Sequence, residues 1–191
     1  MHASLIEILR AEKPSAILGS HGLGDESTLI VTRDHLLDVM QWLRDDPRAR
    51  MEVLIDVTAV DYSEYPAHLR QAVSPIDEDS GNSAAELPRY EVVYHLLSMS
   101  RGHRLRIKVL VTEQDPHVPS LCDLWISANY GERETFDMYG LQFDGHPELK
   151  RVLLYEEFEG HPLRKDYPQR GYQPLMPMPE LVNYEGNDTA H

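Results

Sequence analysis

From position 104 to 109 apolar and polar residues alternate without a break, and Val111 keeps the same register. Leu105, Ile107, Val109 and Val111 fall on one side, and Arg104, Arg106 and Lys108 on the other. Period two is the pattern of a half-buried strand, because successive side chains of extended backbone point to opposite faces. Residues 90–99 form a partner run, with the turn Ser100-Arg101-Gly102-His103 between them, which predicts a hairpin. EVLIDVTAVD at 52–61 predicts a further strand, with Val53, Ile55, Val57 and Ala59 on one face. Short strands at 16–18 and 28–31 flank a Gly-rich turn, His21-Gly22-Leu23-Gly24.

Elsewhere the period lengthens to that of a helix. Leu5, Ile6 and Leu9 share a face in 3–12, which Pro14 stops. Leu36, Leu37, Met40 and Leu43 do the same in 33–45, with Thr32 placed to cap and Pro47 to terminate. Ser120 and Asp123 form an S-x-x-D capping box before Leu121, Leu124, Trp125 and Ala128. A second helix is expected from Asn129 to near Gly140. Together these elements predict an α+β domain: a mixed or antiparallel sheet with helices packed on it.

Two stretches break the pattern. Residues 63–88 combine three prolines, the acidic run Asp77-Glu78-Asp79 and small polar filler, which reads as a solvated insertion between strands. From Pro147 onward lie six of the thirteen prolines. Pro174, Leu175, Met176, Pro177, Met178 and Pro179 suit neither helix nor central strand, yet are apolar for a free tail. The expected organisation is a domain over 1–140 and an extended Pro-rich C-terminal interaction segment over 141–191.

The formal net charge of −14 opposes nucleic-acid binding, which calls for a basic surface, and opposes adsorption to anionic lipid. Cys122 is the only cysteine. That excludes an internal disulfide and an all-cysteine metal or iron–sulfur site, and points to a cytosolic compartment. No apolar run is long enough to span a membrane, and the N-terminus lacks the apolar core of a secretory signal. The glycines at 22 and 24 are too few for a dinucleotide loop.

The chemistry concentrates in 143–168, where one phrase occurs twice. Asp144-Gly145-His146-Pro147 is followed fifteen residues later by Glu159-Gly160-His161-Pro162. A metal site through His146 and His161 lacks familiar ligand spacing. Cys122 beside apolar residues reads as a small core side chain, and no nucleophile elbow is present. Arg133 and Asp137 lie four apart on the predicted helix, so they can pair, with Glu134 about 100° round the helix from Arg133. Gly-His-Pro is foremost a turn phrase, followed in each copy by cations, Lys150-Arg151 and Arg164-Lys165. Rigid turns presenting charge around Val152, Leu153, Leu154 and Phe158 fit a protein–protein interface.

The ordered block ERETFDMYGLQFDGHPELKRVLLYEEFEGHPLRKDYP at 132–168 resembles the C-subunit family of proton-translocating NADH:quinone oxidoreductase, bacterial respiratory complex I. DVTAVDY at 56–62 and SLCDLWISANYGERE at 120–134 are similar to the same family. The resemblance implies an α+β domain with an extended C-terminal segment, in the peripheral arm on the cytoplasmic side of the cell inner membrane. It implies no cofactor in this chain, since FMN, iron–sulfur clusters, NADH and quinone bind other subunits. It also implies two principal partners, the large quinone-site D subunit and the cluster-bearing B subunit, with the membrane reached only through partners. The matched site residues are Glu132, Arg133, Glu134, Asp137, His146, Pro147, Arg151, His161, Pro162, Arg164 and Asp166, expected to build the folded-back segment and its interface. The alternatives are the equivalent subunit of a related membrane-bound hydrogenase or ferredoxin-fed complex, and a stand-alone metal-dependent hydrolase using His146 and His161.

Overall fold

The computed structural model describes residues 2–23, 26–66, 88–170 and 173–174. The acidic run 77–79 and tail positions 175–179 lie outside the described residues. Five strands form one mixed sheet: β1 (Ile17–Leu23), β2 (Glu26–Val31), β3 (Val53–Asp61), β4 (Tyr90–Ser98) and β5 (His103–Val111). Their order across the sheet is β1-β2-β5-β4-β3. All neighbours are antiparallel except β2 and β5, which run parallel with Leu29 opposite Ile107. The β4–β5 hairpin closes Ser98 onto His103 as its sequence requires, with Gly102 at φ +66° in the turn.

Helices α1 (His2–Glu12) and α2 (Leu36–Asp45) supply Leu5, Leu9, Leu36, Val39, Met40 and Leu43 to the core. These meet Leu29 and Val31 of β2, Tyr94 of β4 and Ile107 and Val109 of β5. Each fully buried Leu, Val or Ile contributes roughly 1.5–3 kcal/mol. Helix α3 (Ala128–Tyr139) packs on β3. Gly131 permits the close approach, since a Cβ there would stand 3.0 Å from that of Val57. Ser127 and Thr135 hydroxyls donate to the Leu54 and Val57 carbonyls, covering part of the edge that β3 would otherwise leave unpaired. A short parallel pair, β6 (His117–Pro119) and β7 (Gln142–Asp144), brackets α3 in sequence.

Four local expectations are corrected. β1 and β2 extend further toward each other than 16–18 and 28–31, so His21-Gly22-Leu23 is strand rather than turn. In β3 the register shifts between Leu54 and Asp56, so Leu54 is buried and Ile55 is 47% exposed. A bulge inserts one residue and resets which side faces the core, and strict alternation does not foresee it. Thr32 makes no cap to the backbone; its hydroxyl meets Nδ1 of His35 at 2.8 Å, in a 3-10 turn that precedes α2. Ser120 and Asp123 cap no helix, because 122–127 forms turns and Ser120 is used elsewhere.

Candidate functional site: a helix held at both ends by the returning chain

α3 ends where glycine is needed. Gly140 adopts φ +76° and returns its N–H to the Phe136 carbonyl, a left-handed C-cap that L side chains disfavour. The last carbonyls of a helix have no partner within it. Here the returning chain supplies partners. His161 Nδ1 donates to the Asp137 carbonyl at 2.9 Å, Leu163 N–H to Met138 at 3.1 Å, and Arg164 Nε to Tyr139 at 2.5 Å. A cation at this end also opposes the negative end of the helix dipole. The Arg164 guanidinium additionally lies over the Tyr90 ring, 5.7 Å from its centroid.

The twin phrase therefore places its two histidines toward opposite ends of the same helix. Gly145 and Gly160 both take positive φ, +84° and +91°, the turn conformation that glycine permits. His146 meets the Asn129 carbonyl near the start of α3 through Nε2 at 3.2 Å, while its Nδ1 accepts the Glu148 N–H at 3.0 Å. An N–H can only donate, so Nε2 carries the ring proton. Burial lowers the His161 pKa first of all, opposed by its bond to the Asp137 carbonyl, so the neutral ring is favoured. Pro147 is exposed and Pro162 half-buried in their turns.

Asp137 organises the middle of this segment. Its buried carboxylate accepts from Arg151 at 2.6 Å and from three successive backbone N–H groups, Val152, Leu153 and Leu154, at 2.9–3.0 Å. Burial pushes this carboxyl up, but those donors more than offset it and hold it below the usual carboxylate range. Arg151 also reaches the Phe158 and Gly160 carbonyls. The Arg133–Asp137 pair that the spacing allows does not form. Arg133 instead donates to the Lys150 and Arg151 carbonyls, and Asp137 takes Arg151. Spacing four made the pair possible, but a cation brought by the turn gave the buried carboxylate a better partner.

The far end of the segment is anchored on the sheet by residues that sequence reasoning missed. Buried Asp61 accepts from Arg89, from the Lys165 N–H at 3.0 Å and from the Ser63 N–H at 2.9 Å. Burial raises its pKa and these donors, Arg89 foremost, bring it down to about 2. Arg89 in turn meets Glu113 at 2.5 Å and Asp166 at 2.7 Å. A carboxylate closing the apolar run of β3 was the available signal.

Glu132 lies elsewhere on α3 and faces inward with no exposure. It accepts from the Ser120 hydroxyl at 2.6 Å, the Leu121 N–H at 2.6 Å and the Cys122 thiol at 3.5 Å. Burial raises its pKa beyond what these neutral donors and nearby His146 recover. Glu134 is half-buried on the same helix. Among the described residues, the group of metal-capable side chains is Cys122, Glu132 and His146; His161 is not in it. No helix among the described residues is long and apolar enough to cross a membrane.

With this arrangement in view, known proteins place the chain. The family model described as respiratory-chain NADH dehydrogenase, 30 Kd subunit, matches residues 29–173. The chain belongs to this family. Proteins named as the C subunit of NADH-quinone oxidoreductase are close in sequence to it. The one from Roseiflexus sp. (strain RS-1) is 44% identical over 167 residues, 87% of this chain and 84% of the relative. The one from Burkholderia multivorans (strain ATCC 17616 / 249) is 44% identical over 184 residues, 93% and 84%. The solved trypsin-resistant fragment (1-134) of Nqo5 is similar at a TM-score of 0.58 and 29% identity, covering 77% of this chain and 98% of that one. A chain of the archaeal membrane-bound sulfane sulfur reductase shares the fold, at a TM-score of 0.63 and 18% identity, over 88% and 86%. The 30 Kd family match therefore takes in α3, both Gly-His-Pro turns and the Asp61 anchor together.

Proposed function

We propose that this member of the 30 Kd family is a non-catalytic part of the peripheral arm of proton-translocating NADH:quinone oxidoreductase. It carries none of the redox groups. It braces the subunits of the quinone site, the large D subunit and the cluster-bearing B subunit, on the cytoplasmic side of the inner membrane. One observation carries this reading: a segment without helix or strand is fixed to α3 and the sheet by buried polar bonds, yet it leaves apolar side chains outside. Leu153 is 52% exposed and Leu163 48%, while Ile126 and Tyr130, at the start of α3, are also exposed. Apolar anchors on a rigid frame suit an interface core, because little conformational freedom is lost when they dock. The half-buried Arg151 and Arg164 serve the chain's own carbonyls and the Asp137 carboxylate, so affinity for a partner rests on the exposed apolar residues and the rim.

Deleting the gene tests this. Membranes should lose NADH:quinone activity and the assembled complex, and a plasmid copy should restore both. Normal assembly and activity without the chain would refute it. Mass spectrometry of what co-purifies in mild detergent then names the neighbours. The D and B subunits are expected. The likeness to the sulfane sulfur reductase chain favours, as second reading, the same place in a related membrane complex, and hydrogenase-type partners would establish that instead.

A further inference from the structure

Glu132 is a fully buried carboxylate whose hydrogen-bond donors among the described residues are all neutral. A buried anion normally has a cation facing it or coordinates a metal. Beside it stand the chain's single thiol and an imidazole. The ligand-type atoms of Cys122, Glu132 and His146 all lie within 4.8 Å of one another, brought together from the turn after β6, the helix α3 and the turn after β7.

We infer that Cys122, Glu132 and His146 form a binding site for a divalent d-block cation of the zinc type, with water in the fourth position. Sulfur, carboxylate oxygen and imidazole nitrogen are all zinc donors, and three protein ligands plus water is the open four-coordinate geometry. The charges close: one thiolate, one carboxylate and one neutral imidazole balance a dication, leaving the buried site neutral. Binding replaces the S–H bond by an S–metal bond and releases that proton to solvent. Without metal the thiol keeps it, since burial pushes the Cys122 pKa up to about 11.

The surroundings are arranged for such a role. The Ser120 hydroxyl, 2.6 Å from Glu132 Oε2, also accepts the Cys122 N–H at 3.2 Å, so one residue orients two ligands. A ligating histidine typically gives its other ring N–H to a carbonyl, the part the Asn129 carbonyl plays for Nε2. Nδ1 is then the ligand, and the Glu148 N–H it now accepts belongs to an exposed residue that water can serve. The site would tie both flanks of α3 to the start of the helix. This inference is independent of which complex the chain joins.

Because the chain has one cysteine, a thiolate-to-cobalt charge-transfer band reports on Cys122 alone. The full chain, reduced and stripped of metal, is titrated with Co2+ and then with Zn2+. Expected are that band with tetrahedral ligand-field bands, saturation at one equivalent, displacement by Zn2+, and a melting temperature raised by Zn2+. Cys122→Ser should abolish the band and the zinc-dependent rise, and His146→Ala should weaken binding at least ~10-fold. Both positions are partly exposed, so these variants keep the fold, which far-UV circular dichroism checks. Absence of a charge-transfer band at saturating Co2+ overturns the proposal. A band unchanged in both His146→Ala and Glu132→Gln overturns it equally.

Discussion

Glu132 and Asp137 sit five positions apart on one helix and both are fully buried, yet their environments push them in opposite directions. Asp137 faces Arg151 and three backbone N–H groups and stays ionised. Glu132 faces a hydroxyl, a thiol and one N–H, and its proton is harder to remove. Burial alone does not set the charge of a carboxylate; the donors that the rest of the chain delivers do. Around Asp137 the charge is satisfied and serves as an organising post for the returning segment. Around Glu132 the donors are neutral and a thiol and an imidazole stand beside it, which is why a ligand is proposed there and not at Asp137.

The largest test of this contrast removes the post. Asp137→Ala leaves Arg151 without its buried partner and frees the Val152–Leu154 N–H groups, so a loss of about 3–5 kcal/mol is expected. Urea unfolding measures it, and limited proteolysis should find new cleavage between 145 and 165. An intact protease pattern would show that the segment is held without Asp137.

Gly140→Ala comes next. The φ of +76° alone costs roughly 1–2 kcal/mol for an L residue. The added Cβ would also stand 2.6 Å from His161 Nε2, forcing the turn off the helix end. Hydrogen exchange should therefore accelerate at 160–167 and not in β4 or β5. Arg164→Ala removes the Tyr139 bond and the Tyr90 ring contact, with an expected loss of about 1–2 kcal/mol. A change confined to assembly, with the isolated chain's melting unchanged, would move Arg164 from an internal role to a partner-facing one.

The smallest effect sharpens the comparison most. In metal-free buffer, Glu132→Gln keeps an acceptor for Leu121 N–H and should change stability by no more than about 1 kcal/mol at neutral pH. The pH dependence then separates the two carboxyls by sign. Asp137 and Asp61 have depressed folded pKa values, so their contribution is complete above the unfolded value of about 3.9 and is lost as pH falls through the folded values. Glu132 has a raised folded pKa, so its contribution is present in acid and lost as pH rises through that value. Urea midpoints between acid and neutral pH should fall steeply in acid for wild type and less so for Asp137→Asn. Glu132→Gln should gain relative to wild type as pH rises. Parallel curves for all three would erase the distinction.

Some of this was legible in the residues. Alternation from 104 to 109, with Val111 in the same register, placed Leu105, Ile107, Val109 and Val111 in the core, because a strand packed on one face admits no other register. The repeated Gly-His-Pro phrase announced two turns, and both glycines take positive φ. The lone Cys122 was read as a small core side chain within a helix; it does pack against the core, half-buried, but from a turn, beside a carboxylate and near a histidine. Nothing local warned that Ser120 would serve Glu132 instead of capping, since its partner is twelve residues away.

What the sequence by itself determined was what local period and backbone freedom set: the buried face of β5, most of α1, α2 and α3, the turns at Gly102, Gly145 and Gly160, and membership of the C-subunit family through a long ordered block. Tertiary structure alone decided the parallel pairing of β2 with β5, the bulge beside Leu54, and which cation meets which carboxylate. The physical reason is range. A φ preference or an apolar stripe acts over a few residues, whereas Arg151 on Asp137, and Arg89 between Asp61 and Asp166, depend on where distant chain comes to rest.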